Sequence, residues 1–121
     1  MQRISICRSC QVEGAEARGN RLAEAVAEEL ARDPELAGRV EVGLVDCMIV
    51  CKQPVSVSVR ARGKEAYLFA DVDPEAQASE IVAFARLYDE SADGAITDAR
   101  PCGDLRFKLL GRIPADPPEP V

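Results

Sequence analysis

The sequence predicts a mixed α/β fold in which a four-stranded sheet is flanked by helices and followed by a C-terminal extension. Three observations support this prediction. Two short apolar runs typical of buried strands are separated by one helix-length segment. A strictly alternating stretch, a glycine-containing turn and another apolar run then form the pattern of a β-hairpin. An amphipathic helical pattern follows the hairpin, so the predicted order of elements is β-α-β-β-β-α.

The first strand and the first helix are predicted from short local patterns. Residues 3–7 form a buried strand, and the polar segment 10–19 that follows is predicted to be a loop. Asn20 is a suitable N-cap for the helix after it. The apolar stripe of that helix repeats every four residues and consists of Leu22, Val26 and Leu30. Pro34 ends the helix or begins a turn.

Residues 40–46 are predicted to form the second strand. A right-handed crossover through the helix would make the two strands parallel and would place their C-terminal ends at the same edge of the sheet.

The hairpin and the last helix complete the predicted sheet. Residues 55–60 alternate between apolar and polar types, residues 62–64 form the turn, and residues 66–70 form the returning strand. Asp73 as N-cap and Pro74 at the first position open the final helix. Its buried stripe consists of Ala78, Ile81, Val82, Ala85 and Tyr88. A four-stranded mixed sheet with this order of elements is a thioredoxin-like arrangement.

Residues 1–90 are therefore predicted to form one thioredoxin-like domain, and residues 91–121 an extension packed on it. The extension contains apolar residues that suggest a short helix or turn, namely Leu105, Leu109 and Leu110. Its proline-rich end is predicted to be extended or disordered. These apolar residues, together with an open sheet edge, predict packing on the chain's own sheet or on a second subunit in a homodimer.

The composition of the 121 residues excludes several classes of function. A net charge of −6 argues against nucleic acid as a partner and is compatible with docking on a basic protein surface. No run reaches the length of a membrane span, and no export signal is recognisable, so we expect a cytoplasmic protein. The lack of histidine excludes Cys–His and Ser–His nucleophile pairs, Rieske-type clusters and mixed Cys/His zinc sites. No catalytic residue is predicted.

The cysteines give the strongest indication of function. Cys7 and Cys10 directly follow the first strand, and Cys47 and Cys51 directly follow the second. If the strands are parallel neighbours, both pairs meet at one edge of the sheet. Cys102 stands alone in the extension and is predicted to take no part in the site.

Three chemistries use cysteines in such a pattern. Four thiolates suit a [2Fe–2S] cluster, with two sulfurs on each iron. Four thiolates also suit a tetrahedral zinc site, for which Cys-x2-Cys is a common spacing. A thiol–disulfide oxidoreductase would need only Cys7 and Cys10, with a helix beginning at the second cysteine to lower a thiol pKa. The predicted loop after Cys10 weakens this enzymatic alternative.

The chain resembles the thioredoxin-like [2Fe–2S] ferredoxins over residues 1–90. The resemblance lies in the Cys47-x3-Cys51 spacing, Pro54, the alternating strand after it and the Asp73-Pro74 helix start. It implies an electron carrier with one [2Fe–2S] cluster held by Cys7, Cys10, Cys47 and Cys51. It also implies a redox protein partner. A non-redox zinc protein or a metal-handling accessory factor is the alternative, because the ferredoxins space their first pair more widely.

The chain is also similar, over nearly its whole length, to the domain of unknown function 1636 family of predicted metal-binding proteins. The resemblance lies in Cys7-Arg8-Ser9-Cys10, in residues 63–74, in residues 91–94 and in residues 112–114. It implies an association with cobalamin-related genes. Relatives carry a further cysteine where this chain has Val55, so a site here would be built without that position. The ferredoxin resemblance also raises the prospect of a cis peptide bond before Pro54.

Overall fold

The structure is a computed structural model that describes residues 2–7, 15–45, 55–96, 98 and 100–114. The predictions for Cys10, Cys47, Cys51 and Pro54 lie outside the described residues.

A mixed five-stranded sheet forms the centre of the fold. Its strands are β1 Gln2–Cys7, β2 Val40–Val45, β3 Val57–Ala61, β4 Ala66–Phe69 and β5 Leu109–Ile113. Their spatial order is β2-β1-β3-β4-β5, with β1 and β2 parallel and the other neighbours antiparallel. The predicted thioredoxin-like α/β class is confirmed. The predicted number of four strands was one too few, because the extension contributes β5.

The helices cover one face of this sheet. They are α1 Ala15–Ala31, α2 Pro34–Ala37 and α3 Ala78–Glu90. The registers place Ile4, Val59 and Tyr67 in one row across the sheet, and they place Ile6, Val57 and Phe69 in the next. All six side chains are buried. Alternate residues of a strand face the same side of the sheet, so these six side chains lie on one face. On that face they form the core together with the apolar stripes of α1 and α3.

Both long helices begin at positions other than the predicted ones. Helix α1 begins at Ala15, so the predicted N-cap Asn20 lies inside the helix rather than at its start. The helix can begin there because four good or acceptable helix formers precede Gly19. One interior glycine lowers helix stability by only about 1 kcal/mol, and the packing of Leu22 and Val26 offsets this loss.

Helix α3 begins at Ala78, after a turn that occupies the predicted first helical positions. Asp73 caps this turn, because its Oδ1 accepts hydrogen bonds from the backbone N–H groups of Glu75 at 2.8 Å and Ala76 at 3.0 Å. Gln77 then occupies the N-cap position of the helix proper.

The extension returns to the sheet and pairs with it. Two 3₁₀ turns within Arg100–Lys108 are joined at Gly103, whose φ is 61°. They bury Cys102 and Leu105, each 1% exposed. The chain then runs antiparallel to β4 as β5, with an irregular register opposite Leu68 and Phe69.

Candidate functional site

The ends of β1 and β2 lie side by side. Cys7 is the last residue of β1, and its partner in the parallel register is Val45, the last residue of β2. The last described residues before segments 8–14 and 46–54 are therefore neighbours at one edge of the sheet. The predicted parallel pairing, which the convergence of the two cysteine segments requires, is confirmed.

Of the four predicted ligands, the described part of the chain contains Cys7. Its side chain is 9% exposed, and its backbone N–H donates to the carbonyl oxygen of Ser56 at 3.0 Å. Among the described residues, no group of three or more Cys, Asp or Glu side chains is arranged to hold a metal ion. Cys10, Cys47 and Cys51 lie outside those residues.

Two serines lie beside Cys7 on the same face of the sheet. Ser5 precedes it by two residues in β1, and Ser56 lies opposite it in the extension of the β1–β3 register. They are only 5% and 3% exposed, so their hydroxyls are polar groups held in a mostly buried position. The alternating pattern of residues 55–60 predicted that the polar side chains of this strand face solvent. It gave no indication that one of them, Ser56, is buried.

Val55 continues the sheet next to this edge. The backbone N–H of Val72 donates to the carbonyl oxygen of Val55 at 3.1 Å. Val55 is 1% exposed. Val55, where the family resemblance led us to expect a cysteine in relatives, is thus part of the apolar core in this chain.

The aspartates near this edge are accounted for by local structure. Asp71 has a positive φ of 57°, and its Oδ2 lies 3.0 Å from Lys108 Nζ. The backbone N–H groups of Ala76 and Glu75 lower the pKa of Asp73 below its ordinary value of 3.8. Asp73 is therefore a charged turn cap, and this pair is not arranged for general acid–base catalysis.

Cys102 is a core residue. Burial, reinforced by the nearby Glu80 carboxylate, raises the pKa of its thiol to about 11. A thiol with this pKa stays protonated at neutral pH. That Cys102 takes no part in the cysteine site stays a prediction.

A polar groove lies between α1 and the segment that leads into α3. Four glutamates of the described residues line it, among them Glu75, which forms an ion pair with Arg21. Neither Cys7 nor Cys102, the two cysteines that the structure describes, lines it. These glutamates make the groove an acidic surface. No helix in the described part of the chain combines the length and apolar character needed to cross a membrane.

Known structures share the fold of this chain. A thioredoxin-like [2Fe–2S] ferredoxin from Aquifex aeolicus superposes with a TM-score of 0.66 at 18% identity, covering 100% of this chain and 98% of the ferredoxin. A structure of the wild-type form of such a ferredoxin from the same organism superposes with a TM-score of 0.61 at 14% identity. This superposition covers 92% of this chain and 97% of the ferredoxin. At these identities the similarity establishes a common fold. No curated protein is significantly similar in sequence.

The family assignment rests on the sequence of almost the entire chain. A family model described as protein of unknown function (DUF1636) matches residues 4–115. This range includes both cysteine segments, the hairpin, α3 and β5. The chain is therefore a member of the DUF1636 family with a thioredoxin-like fold.

Proposed function

We propose that this chain is a small ferredoxin-like protein that carries single electrons on one [2Fe–2S] cluster. The proposed ligands are Cys7, Cys10, Cys47 and Cys51. The observation that carries the proposal is the parallel register that pairs Cys7 with Val45. Cys47 is two residues beyond Val45, and two residues of chain span at most about 7 Å. Covalent connectivity alone therefore keeps one cysteine of the second pair near the first pair.

The chemistry of the donor set supports the proposal. Four thiolates from two pairs match the ligand requirement of a [2Fe–2S] cluster, with two sulfurs on each iron. The chain contains no histidine, so imidazole ligation is excluded. The similarity in fold to ferredoxins whose names record a [2Fe–2S] cluster adds support, although it carries no information about the ligands of this chain.

The burial of the residues around Cys7 suits a cluster site from which water is partly excluded. Cys7 is largely buried, and among the described residues Ser5 and Ser56 place hydroxyl groups beside it on the same face. When bound, the cluster would supply one-electron redox chemistry. The chain would hold the thiolates, donate hydrogen bonds towards sulfur and limit solvent access, and these features set the reduction potential of such a site.

The proposed partner is a redox protein with a basic docking surface. The chain has a net charge of −6, and opposite charge steers association between proteins. The rate of electron transfer to such a partner should therefore fall as ionic strength rises.

Spectroscopy of the anaerobically purified protein, combined with analysis of iron, sulfide and zinc, tests the proposal. We expect equal amounts of iron and inorganic sulfide, together with visible absorption bands that bleach on reduction with dithionite. A colourless protein with stoichiometric zinc would contradict the proposal and would indicate a structural or metal-handling role. Reduction of insulin disulfides that disappears in Cys10→Ser would indicate a thiol–disulfide oxidoreductase instead.

A further inference from the structure

We propose that a cavity at the end of the sheet opposite to Cys7 binds a small phosphate ligand, either inorganic phosphate or a phosphomonoester. The cavity has a volume of about 340 Å³ and lies beside Gln2, the first residue of β1, whereas Cys7 is the last. A strand rises about 3.3 Å per residue, so the two ends of this six-residue strand are about 17 Å apart. The two sites are therefore separate, and phosphate would bind whether or not a cluster is present.

Three elements of the fold bring charged side chains to this cavity. Arg39 directly precedes β2, and Arg62 and Lys64 lie in the turn between β3 and β4. Asp89 lies in the last turn of α3. Three cations and one carboxylate leave a formal excess of two positive charges, although the whole chain has a net charge of −6. Such a local excess of positive charge attracts anions.

Two of these cations remain available to a ligand. Asp89 supplies the one carboxylate that the described residues bring to the cavity, and its Oδ2 accepts a hydrogen bond from Arg39 at 2.9 Å. Lys64 Nζ donates to the carbonyl oxygen of Tyr88 at 2.8 Å, which has only a partial negative charge. Arg62 is exposed and forms no ion pair within the described part of the chain. The guanidinium and the ammonium therefore both keep N–H donors for an anion.

Gln2 gives an independent indication of a ligand. Its side chain is only 3% exposed, and its Nε2 donates to the carbonyl oxygen of Ala85 at 2.8 Å. Its Oε1 is buried, and no donor among the described residues forms a hydrogen bond with it. A buried acceptor without a donor destabilises a protein, and most such groups are satisfied in native structures. A ligand that carries an O–H group would satisfy this oxygen.

Phosphate matches these groups better than a carboxylate or sulfate does. A phosphate group carries a charge of about −1.5 to −2 at neutral pH, close to the opposite of the excess charge of the cavity. Arg62 can donate two parallel hydrogen bonds to it, and Lys64 acts as a compact point charge. Hydrogen phosphate, or a hydroxyl of a phosphomonoester, can also donate to Gln2, whereas carboxylate and sulfate ions have no donor. The volume is near the lower end of the range of about 300–1,000 Å³ for ligand sites, which suits a small compound.

Isothermal titration calorimetry of the full chain at neutral pH and constant ionic strength tests the proposal. The probes are inorganic phosphate, glycerol 3-phosphate and sulfate. We expect saturable binding of phosphate, and the tighter of the two phosphate probes identifies the free ion or a monoester as the ligand. Sulfate should bind about tenfold more weakly, because it is a dianion of similar shape that lacks an O–H donor.

Arg62→Ala and Arg60→Ala are a matched pair of variants. Each removes one exposed arginine at or near the same turn, and of the two residues Arg62 alone lines the cavity. We expect the Kd for phosphate to rise about tenfold or more in Arg62→Ala and less than about twofold in Arg60→Ala. Circular dichroism spectra and melting temperatures verify that both variants are folded.

Nuclear magnetic resonance spectra of the wild type locate the bound anion without a substitution. The backbone amide signals of residues 38–39 and 61–64 should shift with phosphate and saturate at the concentrations that calorimetry gives. A lack of saturable binding for both phosphate probes, equal affinity for sulfate, or equal weakening by Arg60→Ala would each overturn the proposal. Saturable shifts confined to other parts of the chain would also overturn it.

Discussion

At the scale of single residues, Cys7 shows how the sheet prepares one position of the candidate site. Its backbone is hydrogen-bonded to β3 through Ser56, and its neighbour across the parallel register is the last residue of β2. Cys102 is also buried, but it lies in the extension, where burial raises the pKa of its thiol to about 11. The two cysteines thus lie in different parts of the fold.

Single substitutions should separate ligands from the core cysteine. Each single replacement by serine at Cys7, Cys10, Cys47 or Cys51 should reduce the amount of bound metal. A hydroxyl binds a soft metal far less well than a thiolate does. Cys102→Ala should retain the full metal content and lower stability by about 1 kcal/mol through a small cavity. Metal and sulfide analysis of anaerobically purified variants measures the difference. Full stoichiometry in Cys10→Ser would remove Cys10 from the proposed site.

Ser56 provides a test of the surroundings of Cys7. Ser56→Ala should lower the reduction potential while the iron content stays the same, because a hydroxyl that donates towards sulfur stabilises the more negative, reduced state. Ser58→Ala is the matched control, because Ser58 lies on the same face of β3 but opposite Ser5, further from Cys7. A redox titration that gives the same potential for Ser56→Ala and the wild type would contradict the role of this hydroxyl.

At the scale of elements, hydrogen bonds from two tyrosines of the core hold the hairpin against the loop after α3 and against α3 itself. The Tyr67 hydroxyl donates to the carbonyl oxygen of Gly94 at 2.6 Å and accepts from the N–H of Ile96 at 3.2 Å. Tyr88 donates to the carbonyl oxygen of Glu65 at 2.5 Å, and both rings contact Phe84. The motif at residues 91–94, which resembles a family feature, thus has a structural role.

Gly94 should be intolerant of a side chain. Its φ is +78°, and a Cβ atom would lie 2.7 Å from the Glu65 nitrogen and 2.8 Å from the Lys64 Cβ. Gly94→Ala should therefore lower the free energy of unfolding by about 3 kcal/mol, through backbone strain and overpacking together. Gly63→Ala is the control, since Gly63 has a φ of +76° but nothing lies within 4 Å of the added atom. Urea denaturation should show a loss of only about 1 kcal/mol for Gly63→Ala. Equal losses would contradict the packing argument.

The turn before α3 should make stability depend on pH. Asp73 has a lowered pKa in the folded protein, since the N–H groups of Ala76 and Glu75 favour its charged form. Its contribution is present above the unfolded pKa near 3.8 and is lost as the pH falls through the lower folded pKa. Asp73→Asn keeps an acceptor without the titration, so its free energy of unfolding should fall less steeply below pH 3.8 than that of the wild type. Identical pH profiles in denaturant titrations would contradict this.

At the scale of the whole molecule, the extension is part of the fold rather than an appendage. It contributes β5 and buries Cys102 and Leu105, and its Lys108 carbonyl oxygen accepts a hydrogen bond from the backbone N–H of Ala70 at 3.0 Å. Its removal would turn β4 into an edge strand.

A chain that ends at Ile96 should be much less stable than the full chain. It loses two fully buried side chains and the pairing of β4, so we expect a loss of about 3–5 kcal/mol. A chain that ends at Pro114 is the control, because it keeps every element from β1 to β5. Urea denaturation of both chains measures the difference. Unchanged stability of the shorter chain would contradict the structural role of residues 100–113.

The sequence by itself determined the fold class, the first four strands and the parallel pairing of β1 with β2. Apolar periodicity is a local property, and the handedness of a β-α-β crossover leaves only one arrangement of its strands. The predicted start of α1 at Asn20 was wrong, because helix propensity and packing tolerate the one glycine that precedes Asn20 inside the helix.

Only the tertiary structure decided the fifth strand and the burial of Ser56. Residues 109–113 do not alternate between apolar and polar types, so their strand conformation depends on pairing with β4, a partner about forty residues away in sequence. Ser56 belongs to a row that alternation assigns to solvent, and its burial is set by what lies against that face. Local pattern specifies which conformation a segment favours, while burial and pairing depend on contacts between segments that are distant in sequence.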